Sequence, residues 1–181
     1  MQIIHRQVSI FSTEWFSLQV TDASFTIDSL DPTKSPALRD LAINIFNVLE
    51  HTPITAFGLN TNRHFHMKSE EEWHAFGDHY APKDSWNAIL IEPGMRSLTI
   101  LGKRENCGAD RVQVKIEPSL KVRPGVFIHV NQHYDLDEGK DKRPGERMLA
   151  FLTTLRDSWD GFLSYCDDVA RHLLSETAVG E

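Results

Sequence analysis

The sequence predicts an α+β fold in which a largely antiparallel sheet carries three helices, the longest of them C-terminal. The first observation is that strand-like runs, in which apolar and polar residues alternate, come in blocks and do not alternate regularly with helices. Such segregation is typical of antiparallel sheets with helices packed on them. The second is the stretch from Glu146 to Ser175, where apolar residues recur at helical steps of four and three. Because 181 residues, of which 40% are hydrophobic, can bury one sizeable core, we expect a single domain over residues 1–181.

The N-terminal block predicts an antiparallel meander of three short strands between Ile3 and Leu30. The runs HRQVSIF, WFSLQVTD and SFTIDSL are rich in β-branched and aromatic residues and are separated by turn residues. Asp31-Pro32 then breaks the strand, and Ser35, which is followed by a first-turn proline, predicts the cap and start of a helix. That helix should end at Thr52-Pro53, because proline disfavours helical backbone in the residue before it.

The middle of the chain predicts a long strand and a short helix. In the strand from Ile54 to Met67, one face of the second half is mainly apolar, and the other carries asparagines and histidines. Ser69 and the glutamates after it form a capping-box pattern, which predicts a helix that continues to about His79.

Four more strands are predicted between Trp86 and Leu136. The run WNAILIE is apolar on both faces, so we expect it to be a central strand. The runs RSLTILGKR, DRVQVKIE and VFIHVNQHYDL follow, and the second of these alternates most clearly between apolar and polar residues. The charged loop DEGKDKRPGE then leads into the final helix.

The final helix carries an apolar ridge that predicts an interface. A helix from Glu146 to Ser175 would be roughly 40 Å long, which exceeds the diameter of a compact domain of this size. Either the helix bends at Gly161 and its ridge is used within its own core, or part of the ridge overhangs and contacts another protein. The residues that we predict for this interface are Met148, Leu152, Leu155, Trp159, Phe162, Val169 and Leu173.

Histidines and amides on two strands suggest a candidate metal site. His64 and His66 share one face of their strand, and His129 and His133 share one face of another. If these strands pair, the imidazoles and a carboxylate would offer ligands that suit zinc, manganese or iron. In the alternative interpretation the same residues form the solvated face of an antiparallel sheet. The polar residues that would extend the strip are Asn60, Asn62, Asn131, Asp135 and Asp137.

Charge and composition disfavour several classes of protein. A net charge of -7 makes non-specific binding of nucleic acid or anionic membranes unfavourable, since their phosphate groups would repel the acidic chain. The two cysteines, Cys107 and Cys166, make no disulfide framework, so a reducing, cytoplasmic setting is expected. The N-terminus is too polar for a signal peptide, and no apolar run reaches membrane-spanning length. We therefore expect a cytoplasmic protein without a membrane partner.

The segment ITAFGLNTNRHFHM resembles a strand with a Gly-Leu-Arg-Tyr-Ile-Asn-Arg-like signature in a sporadically distributed family of uncharacterised prokaryotic proteins. The matching residues are Gly58, Leu59, Asn62 and Arg63, and the order of elements towards the long last helix is similar. The two histidines of the segment depart from the family pattern. Because the family carries no established activity, the resemblance implies a fold and a small accessory protein, and it implies no catalytic residue.

Three functional hypotheses follow. The sequence lacks a glycine-rich phosphate loop and the GxSxG, HExxH and CxxC motifs, which favours a non-enzymatic protein without a cofactor. It would work through protein contacts and self-associate through the last helix or an open sheet edge. The second hypothesis is a hydrolase or nuclease in which a divalent metal such as zinc or manganese, held by the histidines, activates water. The third is an acidic inhibitor or antitoxin-like partner that covers a basic surface of another protein.

Overall fold

The α+β prediction is confirmed by the computed structural model, which describes residues 2–5, 7–136 and 143–176. The described strands form two antiparallel sheets of four strands each, whereas the sequence predicted one sheet. In chain order the helices are α1 (Ser35–Val48), α2 (Glu70–Tyr80) and α3 (Pro144–Ser175), and the strands are β1 (Gln2–Ile4), β2 (Val8–Ser12), β3 (Ser17–Thr21), β4 (Phe25–Asp28), β5 (Ala56–His66), β6 (Leu98–Gly102), β7 (Arg111–Pro118) and β8 (Gly125–Asp135).

The chain divides into two compact units. Of the described residues, the first holds 2–5, 7–54 and 143–157, and so contains the first sheet, α1 and the beginning of α3. The second holds residues 55–136 and 158–176, and so contains the second sheet, α2 and the rest of α3. Each unit therefore has a sheet and helical residues of its own.

The first unit confirms the predicted antiparallel meander, which has four strands where three were predicted. Its strands follow one another in the order β1-β2-β3-β4, each antiparallel to the next. Phe46 of α1 contacts Phe25 of β4 edge to face, with 5.0 Å between ring centres, and contacts Phe151 of α3 at 4.9 Å. Phe46 and Phe151 are buried, so this aromatic group forms part of the core of the unit.

The second sheet has the order β5-β8-β7-β6, in which all neighbours are antiparallel. Side chains alternate between its two faces, and Leu59, Ile116 and Ile128 lie on the face that we call the inner face. These three residues are 5%, 3% and 2% exposed, so the inner face is the core side. The other face, which we call the outer face, carries most of the polar side chains of the four strands.

Helix α2 and the later part of α3 pack on the inner face of the second sheet. Phe76 of α2 and Phe162 of α3 are both buried. The Tyr80 hydroxyl at the end of α2 donates a hydrogen bond to the carbonyl oxygen of Leu173 at 2.9 Å, which joins the two helices. The guanidinium of Arg104 lies 4.4 Å from the ring centre of Tyr165 on α3.

Local side chains set the helix starts, with one correction to the prediction. Ser69 caps α2 as predicted, since its hydroxyl accepts a hydrogen bond from the N–H of Glu72 at 3.2 Å. Ser35 does not cap α1, because it is already the first residue of the helix. A short 3-10 turn precedes it, and there the Asp31 carboxylate accepts from the N–H of Thr33 at 2.9 Å. The Asp-Pro sequence thus starts the helical segment earlier than the serine does.

The prediction of a central strand at WNAILIE is wrong. The segment forms turns in which the N–H groups of Ile89 and Leu90 donate to the carbonyl oxygen of Trp86, at 2.9 and 2.8 Å. Its apolar side chains are exposed, and Ile91 reaches 96%. Positions 86, 89 and 90 also have helical spacing, and periodicity alone does not distinguish a short apolar run in a strand from one in a helical turn. The other three strands predicted in this block are β6, β7 and β8.

Candidate functional site

The two histidine-bearing strands, β5 and β8, lie side by side, as the metal hypothesis requires. They pair over eleven residues, and the register places Asn62 opposite His129 and Gly58 opposite His133. Residues that face each other across such a pair point to the same side of the sheet. The imidazoles and amides therefore form one polar strip on the outer face.

The strip places three of the four predicted ligands next to one another and separates the fourth, His133. His64 lies opposite Phe127 and is thus a diagonal neighbour of His129. His66 is one step further along β5, towards its end. His133 lies four residues beyond His129, which is roughly 13 Å at about 3.3 Å per residue. His66, on the same strand, and His129, on the next, are thus both neighbours of His64. The pair that joins the two strands is His64 and His129.

Both members of this pair already have partners within the chain. His64 Nδ1 lies 2.9 Å from Ser119 Oγ. His129 Nδ1 lies 2.8 Å from Asn62 Oδ1, and because an amide oxygen only accepts, the imidazole donates in this bond. A metal ion would have to replace either or both of these bonds, or use the second nitrogen of each ring.

The environment of the pair favours neutral imidazoles. Partial burial lowers the pKa of His64 below its usual range, and the nearby charge of Lys121 lowers it further. Burial likewise lowers the pKa of His129, with Lys115 as the next contribution. The neutral form is the one that binds metals and accepts hydrogen bonds.

Carboxylates do not complete a metal site in the described part of the chain. In residues 2–5, 7–136 and 143–176, no group of three or more His, Cys, Asp and Glu side chains is arranged to hold an ion. Asp135 is the last residue of β8, and Asp137 lies outside the described residues. What the strip shows is a ladder of side-chain bonds, to which Asn131 contributes by donating to Asn60 at 2.8 Å. The metal site stays a prediction.

The apolar ridge of α3 is largely covered within the fold. The helix continues through Gly161 without interruption, and Met148, Leu155 and Phe162 are 4%, 4% and 2% exposed. The half-buried members of the predicted interface are Leu152, Trp159, Val169 and Leu173. Beside the ridge, Leu149 is 67% exposed. Buried members offer no surface to a partner in this fold, so the predicted interface depends on the half-buried ones and stays a prediction.

Sequence reasoning did not locate a second surface, the free edge of β6. This strand pairs with β7 and is the outermost strand of its sheet. Among the described residues, the backbone bonds outside the ladders involve none of residues 98–102. Ile100 and Leu101 are 57% and 64% exposed, and the strand LTILG has no charge. An apolar edge of this kind is a template for pairing with another strand.

An apolar groove opens beside β6 on the inner face. It has a volume of about 250 Å³ and lies between the strand and the end of α3. Leu98 and Ile100 line one side, Val169 and Leu173 line the other, and Tyr80 contributes its ring. Burial raises the pKa of the Tyr80 hydroxyl, so the group keeps its proton and its bond to α3. Because its lining is mainly apolar, the groove can receive apolar side chains from a strand added at the edge.

A larger hollow, of about 550 Å³, lies between α2 and residues 83–95. Its lining mixes the aromatic Trp73 with the charged residues Lys83 and Glu117. Lys83 Nζ bonds to an Asp78 oxygen at 2.5 Å, and a Glu117 oxygen bonds to Lys115 Nζ at 3.0 Å. The charges of Lys83 and Glu117 are therefore paired within the chain, and the carboxylate of Glu92 also lines the hollow.

The chain matches no known protein family, no curated protein and no solved structure. None of the helices in the described part of the chain combines the length and the hydropathy needed to cross a bilayer.

Proposed function

We propose that the chain is a non-enzymatic protein of the cytoplasm that binds extended segments of other polypeptides along the free edge of β6. The proposal is carried by the combination of an unpaired strand edge with the exposed side chains of Ile100 and Leu101. Backbone N–H and C=O groups require hydrogen-bond partners, and an added strand supplies them in register. The partner can be another protein or, as the self-association hypothesis requires, a second copy of the chain.

The other sheet edges are less suited to this role. On β5, the opposite edge of the second sheet, the Asn60 amide donates to the carbonyl oxygen of Gly58 at 3.4 Å, and its exposed side chains are mostly polar. Strands β1 and β4, at the edges of the first sheet, are three and four residues long. Strand β6 therefore combines useful length with exposed apolar side chains.

An NMR titration tests the proposal directly. A short neutral peptide of alternating threonine and valine is added to the full chain, and amide shifts are followed. We expect the shifts to concentrate on residues 98–102 and to spare β5. Ile100→Lys should abolish them, because it places a charge beside the apolar groove, whereas Leu120→Lys, at a residue that is 95% exposed, should not. Shifts that are absent, or that persist in the Ile100→Lys variant, contradict the proposal.

A metal-dependent hydrolase is the second candidate, and the pairing of β5 with β8 favours it, because it places His64 and His129 on one face. If zinc or manganese binds there, it stabilises the folded chain and raises the melting temperature. The double variant His64→Gln/His129→Gln should then lose that increase, and His133→Gln should keep it. If neither metal changes the melting temperature of the wild-type chain, this candidate is removed.

A further inference from the structure

Resting on the proposed function, we infer that the segment that binds β6 is an apolar strand of another protein with acidic residues at both of its ends. A second copy of the chain is the disfavoured partner. The inference comes from the charges at the two ends of the strand.

Both ends of β6 are basic. Arg96 lies two residues before the strand, and Lys103 and Arg104 follow it directly, ahead of the acidic Glu105. Arg111, the first residue of β7, adds a cation beside Lys103, because Gly102 is paired with Val112. The side chains of Arg96, Lys103 and Arg111 are exposed. In a chain with a net charge of -7, this edge is a local exception.

The third of the cations next to β6 in the sequence, Arg104, is hydrogen-bonded within the fold. Arg104 donates from Nη1 to Oε1 of Gln132 at 3.2 Å. At the other end of β6, the carboxylate near Arg96 is Glu117, which bonds to Lys115 Nζ at 3.0 Å. Arg96 and Lys103 are thus the charges that an added strand would meet first.

The basic ends oppose pairing between two copies. A two-fold axis would join two β6 edges in antiparallel orientation. In the register that overlaps all five residues, Ile100 faces its own copy, and the Arg96 end of one strand faces the Lys103 end of the other. Like charges across a strand pair are destabilising, and flanking cations are a common means of preventing edge-to-edge aggregation.

The groove adds a requirement on the middle of the partner strand. Successive side chains of an added strand point to opposite faces of the sheet. Those on the inner face would enter the 250 Å³ groove beside Ile100 and Leu173, which is lined mainly by apolar residues. The expected ligand is therefore an extended segment with apolar residues at alternate positions and acidic residues at both ends.

Two labelled peptides with the same threonine-valine centre test this inference, one with glutamates at both ends and one with lysines. Fluorescence anisotropy measures their binding to the full chain at low and high salt. We expect the glutamate peptide to bind about tenfold more tightly at low salt, and the difference to shrink when salt screens the charges. Arg96→Glu/Lys103→Glu should reverse the preference. The matched variant Lys68→Glu/Lys121→Glu changes two exposed cations elsewhere in the second unit and should keep it.

The outcomes separate this inference from the function on which it rests. Equal binding of both peptides, abolished by Ile100→Lys, overturns the acidic partner and leaves strand addition at β6 standing. Pairing of two wild-type chains through β6 at low salt would likewise overturn the acidic partner and leave strand addition at β6 standing. If neither peptide binds and the neutral peptide shifts no residue of β6, both the function and the inference are overturned.

Discussion

Gln132 shows how one buried amide ties two parts of the second unit together. Its side chain is fully buried, at 0% exposure, in the middle of β8. Its oxygen accepts from Arg104, which follows β6, and its nitrogen donates to the hydroxyl of Tyr134. Burial of an amide is unfavourable unless such bonds are formed. The residue therefore fixes the position of Arg104 and with it the basic end of β6.

Gln132→Leu should lower the free energy of unfolding by about 1–3 kcal/mol, because it leaves the Arg104 and Tyr134 groups without a buried partner. Gln113→Leu is the matched control, since Gln113 lies on the outer face of β7 and is half-exposed, and it should change the value by no more than about 0.5 kcal/mol. Urea unfolding measures both. Equal losses in the two variants would show that the bonds of Gln132 carry no special weight.

The two histidines with lowered pKa should make the chain less stable in mild acid. When the folded pKa lies below the ordinary value of about 6.5, the unfolded chain takes up protons first as the pH falls. Stability is then fully present above that value and declines as the pH falls from it towards the folded pKa. We expect His64→Gln/His129→Gln to show a shallower decline between about pH 7 and 5 in urea titrations. His51→Gln, at a side chain that is 95% exposed, should decline as the wild type does. An unchanged slope in the double variant contradicts this.

At the scale of elements, sequence patterns predicted what depends on local chemistry. Strand β7 alternates strictly, and β5 and β8 separate their two faces clearly, so all three were found. The capping serine of α2 and the regular apolar steps of α3 were equally informative. The prediction of a strand from Trp86 to Glu92 was wrong because tertiary context decides between strand and turn for a short apolar run.

Two isoleucines test the corrected assignment of that segment. Ile91→Ala should change the free energy of unfolding by less than about 0.5 kcal/mol, since the side chain is 96% exposed. Ile116→Ala on β7 removes a side chain that is 3% exposed and should cost about 2–5 kcal/mol. A large loss from Ile91→Ala in thermal or urea unfolding would mean that the segment is packed as a central strand after all.

The candidate sites were predictable only in part, because strand order and register are not local properties. The period of two put His64 and His129 on a polar face, and the pairing of their strands completed the strip. The separation of His133 from His64, and the bonds to Ser119 and Asn62, depend on register and loops. The free edge of β6 depends on strand order, so its sequence, LTILG between cations, did not distinguish it from a central strand.

At the scale of the whole molecule, electrostatic repulsion between copies opposes the pairing of their apolar β6 edges. The net charge of -7 favours repulsion between copies at long range, and the proposed role of the cations at the ends of β6 is to oppose pairing of two copies at that apolar edge. Both effects weaken with salt, whereas the apolar surface of Ile100 and Leu101 remains. Self-association through β6 should therefore depend on the salt concentration and on the charges of Arg96 and Lys103.

Removing those two charges should turn the chain into a dimer at low salt. We expect light scattering at about 100 µM to give the wild type a mass near 20.7 kDa, and Arg96→Thr/Lys103→Thr twice that mass. At about 1 M salt the wild type should also dimerise, because the Debye length falls to about 3 Å. Adding Ile100→Lys to either case should restore the monomer. If Leu149→Lys restores it and Ile100→Lys does not, the copies associate through α3, the route predicted from its apolar ridge. A wild type that is dimeric at low salt and insensitive to Ile100→Lys would show that the basic ends of β6 do not control association.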